Sequence, residues 1–199
     1  MKKHYKIPKP KRQFYTRPVP SRFIAALFSI LRPHIKDKLF LDLYAGTGQI
    51  GIQALQEGAK FVTFIDASEE AYFTIEQNFQ NLQQYQQYKD KFYIAQTRVE
   101  DYLSDRYITS KNIKEVAELP TKYDIIFADP PYQNTLEEKY YELVHLAKDW
   151  LNPGGIIAIK HPDNIKIENH EEELVLADYR KYGSNALTFF VLPFNSNKP

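Results

Sequence analysis

The chain has 199 residues, 43% of them apolar and 26% charged, with no cysteine and a net charge of +1. That length suits one domain with a sizeable core, and the missing cysteine excludes disulfides, thiolate metal sites and a cysteine nucleophile. No apolar run approaches the ~20 residues of a membrane helix, and His4, His34, His145, His161 and His170 lack zinc-ligand spacing, so neither membrane nor metal is expected.

Charge is unevenly spread. Residues 1–22 hold eight Lys or Arg and no acid, whereas the rest carries 18 basic and 25 acidic residues. No apolar stretch follows the basic start, so no secretory signal is expected and the protein reads as cytoplasmic. Residues 1–20 interleave Pro8, Pro10, Pro18 and Pro20 with Tyr5, Phe14 and Tyr15, the composition of an extended arm. A basic arm on an acidic body fits contact with a polyanion such as nucleic acid, or a solvated tail.

The domain then runs from 21 to 194, with 195–199 as a tail. Ser21 is a candidate N-cap for a helix to Leu31, ended by Pro33. Leu39 to Leu43 is an apolar strand that enters a glycine loop, Tyr44 to Gly51. Ile52 to Glu57 is helical and Gly58 closes it. Phe61 to Ile65 is a second strand, ending in Asp66. Ser68 caps a helix to Leu82, and Gln83 to Tyr88 reads as its frayed end. Phe92 to Ala95 is a third strand, and Val99 to Leu103 starts a helix. Residues 104–122 read as a surface excursion with a short helix around Ile113 to Leu119.

Asp124 to Ala128 is a fourth strand, continuous in apolar residues and so buried on both faces. It stops at Asp129-Pro130-Pro131-Tyr132, because two prolines fix two φ angles and remove two amide donors. Leu136 to Leu151 is an amphipathic helix, stopped by Asn152-Pro153-Gly154-Gly155. Ile156 to Ile159 is strand five. Glu173 to Tyr179 and Leu187 to Leu192 form a hairpin around Lys181 to Asn185. This alternation predicts an α/β fold: a doubly wound, Rossmann-like, seven-stranded and mostly parallel sheet, with helices on both faces and a C-terminal antiparallel hairpin.

Chemistry concentrates at two strand ends. In D-x-x-x-G-x-G, Gly46 and Gly48 allow a tight turn and a close ligand approach, and the next helix offers free N–H groups. The leading Asp42 would repel a pyrophosphate and suits a cationic amine. Asp66 stands where a carboxylate reaches ribose hydroxyls. A cofactor with a ribose, an ammonium and no phosphate is S-adenosylmethionine. Asp129 and Tyr132 then put a carboxylate and a ring on a stiff turn, at the sheet edge where ligands bind.

With the glycine loop and D-P-P-Y together, the chain resembles class I S-adenosylmethionine-dependent methyltransferases that act on exocyclic amines. It is most similar to the bacterial small-subunit (16S) rRNA guanine-N2 methyltransferase family. The resemblance runs from about Tyr15 to Leu192. It rests on Arg17-Pro18, D-L-Y-A-G-T-G-Q-I-G-I-Q-A-L, F-I-D, D-I-I-F-A-D-P-P-Y, L-N-P-G-G and K-Y-G-S-N-A-L-T-F-F.

The resemblance implies roles. Tyr44, Ala45, Gly46, Thr47 and Gly48 would cradle the methionine part, with Asp42 at its amino group. Asp66 would bind the ribose, with Ala67, Arg98 and Val99 at the adenine. Asp129, Pro130 and Tyr132 would receive the base: the carboxylate and the Pro130 carbonyl accept N–H bonds, and the ring stacks. Lys9, Lys11, Arg12, Arg17 and Arg22 would hold RNA, either 16S rRNA or the 30S subunit. S-adenosylhomocysteine would be the product, no metal would be needed, and the protein would act as a monomer. Val19, Ser21 and Ile24 depart from the family's first helix, and Arg98 stands where the family carries an acid. Other readings are a DNA or other amine N-methyltransferase, or a non-catalytic RNA-binding assembly factor on the same fold.

Overall fold

The computed structural model describes residues 19–83, 85–104, 119–131 and 137–194. The arm through Pro18, most of the helix expected at Ile113 to Leu119, Tyr132 and the tail from 195 lie outside these residues.

Helix α1 (Ser21–Ile35) differs from expectation at both ends. Pro20 rather than Ser21 is the N-cap, and its carbonyl accepts the Phe23 and Ile24 amides at 2.8 and 3.2 Å. The helix also continues through Pro33 to Ile35. Ile35 completes a buried face with Phe23, Leu27, Phe28 and Leu31. Burying it outweighs the one hydrogen bond that Pro33 cannot donate in the last turn.

Strands β1 (Leu39–Leu43), β2 (Phe61–Asp66), β3 (Phe92–Gln96) and β4 (Tyr123–Ala128) form within a residue of where their apolar runs predict them. Between β1 and β2, helix α2 (Gln49–Gln56) starts three residues earlier than Ile52, which leaves a shorter glycine loop. Helix α3 (Glu69–Gln80) is capped as expected, the Ser68 hydroxyl accepting the Ala71 amide at 3.4 Å. The following stretch is not a frayed end: α4 (Tyr85–Tyr88) is a separate turn of helix, pinned by the buried Tyr88. Helix α5 (Val99–Leu103) matches its prediction.

Helix α6 (Glu137–Lys148) is shorter than predicted, and Asn152 to Gly155 does not terminate it. Those residues lie inside β5 (Leu151–Pro162), which begins at Leu151 paired with Tyr123. The glycines lie within a central strand rather than in a turn. The Gly154 amide donates to the Leu192 carbonyl at 2.6 Å, and the Leu192 amide to the Gly155 carbonyl at 3.0 Å. The hairpin strands β6 (Val175–Tyr182) and β7 (Asn185–Val191) extend further toward each other than predicted, leaving only Gly183 and Ser184 between them. Gly183, at φ 66°, takes the left-handed conformation this tight turn needs.

The seven strands run in the order β3-β2-β1-β4-β5-β7-β6. β1 to β5 pair in parallel, and β7 is antiparallel to both β5 and β6. Helices α1, α2, α3 and α4 pack on one face around Phe40, Phe64, Phe127 and Phe189. Helices α5 and α6 pack on the other around Ile126, Tyr123 and Trp150. Among the described residues no helix is long and apolar enough to cross a membrane.

The second face holds a buried hydroxyl chain. Tyr123 donates to Thr63 Oγ1 at 2.9 Å, and its own oxygen lies 2.8 Å from the Tyr102 hydroxyl. It thereby ties β4 to β2 and α5, and the neighbouring Trp150 indole donates to the Leu103 carbonyl at 2.8 Å. Burial pushes the Tyr123 hydroxyl up to about 12, so it remains a neutral donor. Tyr123→Phe leaves the Thr63 and Tyr102 hydroxyls short of a partner. It should cost about 1–3 kcal/mol in urea unfolding, with an unchanged m-value.

Candidate active site

The site lies where the parallel strands end. Asp42 pairs with Phe64 of β2 and with Phe127 of β4, and Phe127 pairs with Ala158 of β5. Side chains alternate along a strand. Asp66, Asp129 and Lys160, each two residues beyond those partners, therefore share a face with Asp42. Together they line one wall of an open cleft of about 950 Å³.

The loop after β1 forms the floor. Tyr44, Gly46 and Gly48 all have positive φ, at 58°, 52° and 71°. A tyrosine in that region costs roughly 1–2 kcal/mol. Its ring is half-buried, and its hydroxyl donates to Glu100 Oε1 at 3.3 Å. Burial and the Glu100 carboxylate hold the Tyr44 hydroxyl well above its ordinary range, so it stays protonated. Gly48 is buried, and a Cβ there would come within 2.8 Å of the Ile75 side chain, so helix α3 presses directly on the loop. The Asn78 amide, also from α3, donates to the Thr47 carbonyl at 2.9 Å.

Each acid is held differently. Asp42 is 1% exposed, and its Oδ2 accepts the Gly51 amide at 2.8 Å, inside the first turns of α2. Burial raises its pKa well above the ordinary carboxylate range. The Gly51 bond opposes this, while Asp129 and Asp66 add to it. Asp66 is half-buried: one oxygen accepts the Gly46 amide and the other the Ser68 amide, both at 2.9 Å. It thus ties the glycine loop to the start of α3 and retains lone pairs toward the cleft. Asp129 follows β4 directly and accepts from Lys160 Nζ at 2.7 and 2.8 Å. Burial raises its pKa, and the Lys160 charge and hydrogen bonds pull it back.

Most of the predicted site residues come together. Asp42, Tyr44, Ala45, Gly46, Thr47, Asp66, Ala67, Arg98, Val99, Asp129 and Pro130 line this cleft. Gly48 lies beneath it. Arg98 is exposed at the N-cap of α5, 3.4 Å from Glu100. Arg22 is exposed on the first turn of α1 and is not part of the cleft wall. Tyr132, Lys9, Lys11, Arg12 and Arg17 lie outside the described residues. His161 points away from the cleft: its ring bonds the Thr188 hydroxyl at 2.7 Å and the Pro162 carbonyl at 2.8 Å.

Sequence reasoning missed Lys160, Glu100, Gln49 and Asn78. Lys160 lies inside β5, past the predicted strand end at Ile159, and only the strand register brings it to Asp129. Glu100 supplies an acid two residues after Arg98, on the first turn of α5.

S-adenosylmethionine fits these residues. The loop closes onto Ile75 and Asn78 and leaves an open volume above it. Two carboxylates face a molecule that carries an ammonium and ribose hydroxyls. Gln49 Oε1, on the first turn of α2 beside the cleft, is buried with no hydrogen-bond partner among the described residues, as an acceptor awaiting a donor would be. No metal-binding cluster occurs among the described residues.

Asp42 gives a two-sided prediction. Its raised pKa means that its ionisation burdens the free fold as pH rises from the ordinary carboxylate range through the raised value. Asp42→Asn keeps an acceptor for Gly51 and removes that burden, so the Tm of the free protein at pH 7–8 should hold or rise. Affinity for S-adenosylmethionine, measured by calorimetry, should fall by about tenfold or more. Wild-type binding should release a proton and weaken toward acid pH, because the ammonium favours ionised Asp42.

Comparison with known proteins gives the family. A family model described as "Conserved hypothetical protein 95" matches residues 2–191. The putative rRNA methyltransferase YlbH of Bacillus subtilis is 25% identical over 177 residues, covering 88% of this chain and 87% of that protein. The ribosomal RNA small subunit methyltransferase D of Buchnera aphidicola is 30% identical over 144 residues, covering 72% of this chain and 66% of the relative. The solved structure of the putative methyltransferase yhhF from Escherichia coli matches with a TM-score of 0.70 at 22% identity, covering 92% of each chain. The family match takes in the glycine loop, Asp66 and the Asp129 turn alike, and the chain belongs to the Conserved hypothetical protein 95 family, on the fold of the class I S-adenosylmethionine-dependent methyltransferases.

Proposed function

We propose that the protein transfers a methyl group from S-adenosylmethionine to an exocyclic amine of small-subunit rRNA, the N2 of a guanine, with free 16S rRNA or the 30S subunit as its partner. One observation carries the reading. The Asp129 carboxylate lies in the same cleft as the glycine loop and Asp66, at the end of the strand next to β1. The rRNA substrate is supported by the names of the relatives and by the basic segment 1–18, which joins the domain at Val19, itself part of the cleft wall.

When bound, the cofactor supplies an electrophilic methyl group on a sulfonium. Asp42 would hold its ammonium and Asp66 its ribose, with Ala67, Arg98 and Val99 at the adenine. The protein's remaining task is to position a weak nucleophile, since the base amine's lone pair is delocalised into the ring. Asp129 and the Pro130 carbonyl accept its two N–H bonds. That turns the lone pair toward the methyl and stabilises the positive charge that develops on nitrogen. The resemblance gives Tyr132 the role of stacking on the base, which would be unpaired or flipped out.

Transfer of tritium from labelled cofactor to 30S particles, naked 16S rRNA and DNA tests the acceptor. Label should enter an rRNA substrate and appear in N2-methylguanosine after digestion. Label confined to DNA would move the protein to the DNA amine methyltransferases, and label in no nucleic acid would favour a different acceptor. Asp129→Ala should lower transfer by roughly 10²–10³-fold or more, with cofactor affinity by calorimetry changed only a few-fold.

A further inference from the structure

Strand register brings together two residues that lie far apart in sequence. Ala128 of β4 pairs with Ile159 of β5, so the residues that follow, Asp129 and Lys160, stand side by side. Lys160 Nζ donates to both carboxylate oxygens, at 2.7 and 2.8 Å. The two side chains are only 10% and 20% exposed, so water screens this pair far less than a surface pair. Nζ also lies 5.6 Å from the centre of the Phe23 ring, within cation–π range.

The surroundings make a cation necessary. Burial in the cleft raises the pKa of Asp129 and Lys160 opposes that rise, while the Asp129 charge in turn disfavours ionisation of Asp42. The Phe23 ring of α1 lies against Lys160, and Lys160 of β5 lies against Asp129. An acid so placed tends to hold its proton. A protonated Asp129 would present an O–H to the acceptor amine where an acceptor is needed for its N–H.

We propose that Lys160 is a positioning residue for methyl transfer: it keeps Asp129 anionic and fixes its carboxylate plane, leaving the oxygens' outer lone pairs for the acceptor amine. This rests on the reading of Asp129 as the group that receives the amine. One consequence concerns the proton released after transfer. Both Asp129 oxygens already accept from Lys160, so Asp129 orients the amine and the proton leaves to water.

Three variants test this: Lys160→Met, Lys160→Gln and Lys160→Arg. The first readout needs no activity: the Asp129 side-chain carboxyl is followed by ¹³C NMR across pH in the free protein. In Lys160→Met its midpoint should rise by about one unit or more, and Lys160→Arg should bring it back toward wild type. The acidic limb of kcat/KM for rRNA should move the same way, to higher pH, while the cofactor Kd stays within about threefold. An unmoved midpoint and limb overturns the proposal. So does loss of cofactor binding in both neutral variants, since that makes Lys160 part of the scaffold or the cofactor seat. Asp129→Ala separates the two levels. If it transfers methyl at the wild-type rate, the amine-holding reading is itself wrong; if it is inactive and Lys160→Met behaves as wild type, only the role of Lys160 falls.

Discussion

Parallel strands that end together bring their last residues together, and the rest of this structure depends on that constraint. In β1, β2, β4 and β5 the charged residues Asp42, Asp66, Asp129 and Lys160, at or near the strand ends, have matching parity, so they project from one face at one edge. The buried strands fix where that edge falls. Phe127 is packed against neighbours on both sides, and a slip of one residue would turn it, and Asp129 with it, to the opposite face. The site is thus placed by hydrophobic packing several residues away from its chemistry.

That placement gathers three carboxylates on one side of a cleft, and the fold deals with each separately. Asp42 is the most buried and is held by one backbone amide, with its ionisation disfavoured until a cation arrives. Asp66 is nearer solvent and is satisfied by two backbone amides. Asp129 takes a side-chain cation through both oxygens. The three devices differ in reach. The backbone amides of Gly46, Gly51 and Ser68 are fixed by the loop and helix starts they belong to, whereas Lys160 belongs to another strand and ties the proposed acceptor side of the site to β5. A ligand with an ammonium and a sulfonium completes the charge balance on the Asp42 side, and Lys160 completes it on the Asp129 side.

Much of this was legible in the sequence. The apolar runs at Leu39, Phe61, Phe92 and Asp124 marked four strands closely, because strands buried on both faces leave little else for such runs to do. The acids at strand ends and the glycines after β1 marked the cleft. The errors share a cause: local signals were overruled by long-range pairing. Pro33 and the Pro153-Gly154-Gly155 stretch read as stops, but the burial of Ile35 and the bonds between Gly154, Gly155 and Leu192 carried the elements through them. Lys160 was passed over for a similar reason. A lysine after Ile159 reads as the point where a strand meets water, and only the Ala128–Ile159 register puts a carboxylate beside it. Asn78 and Glu100 act on the loop from helices whose packing the sequence does not specify.

The Asp129 turn also explains why its partner has to be a lysine or something like it. To hold an amine, the end of β4 needs an acceptor fixed in direction, and Pro130 and Pro131 supply the stiffness. An amide side chain would accept the same N–H bond with no charge to bury. A carboxylate accepts it more strongly and opposes the positive charge growing on nitrogen, but only if it stays ionised where burial disfavours its charge. Stronger acceptance and deeper burial pull against each other, and the bidentate contact from Lys160 resolves them without crossing the cleft. On the proposed reading, the charge that makes Asp129 useful is kept in place from β5, by a residue with no part in the glycine loop or the proline turn.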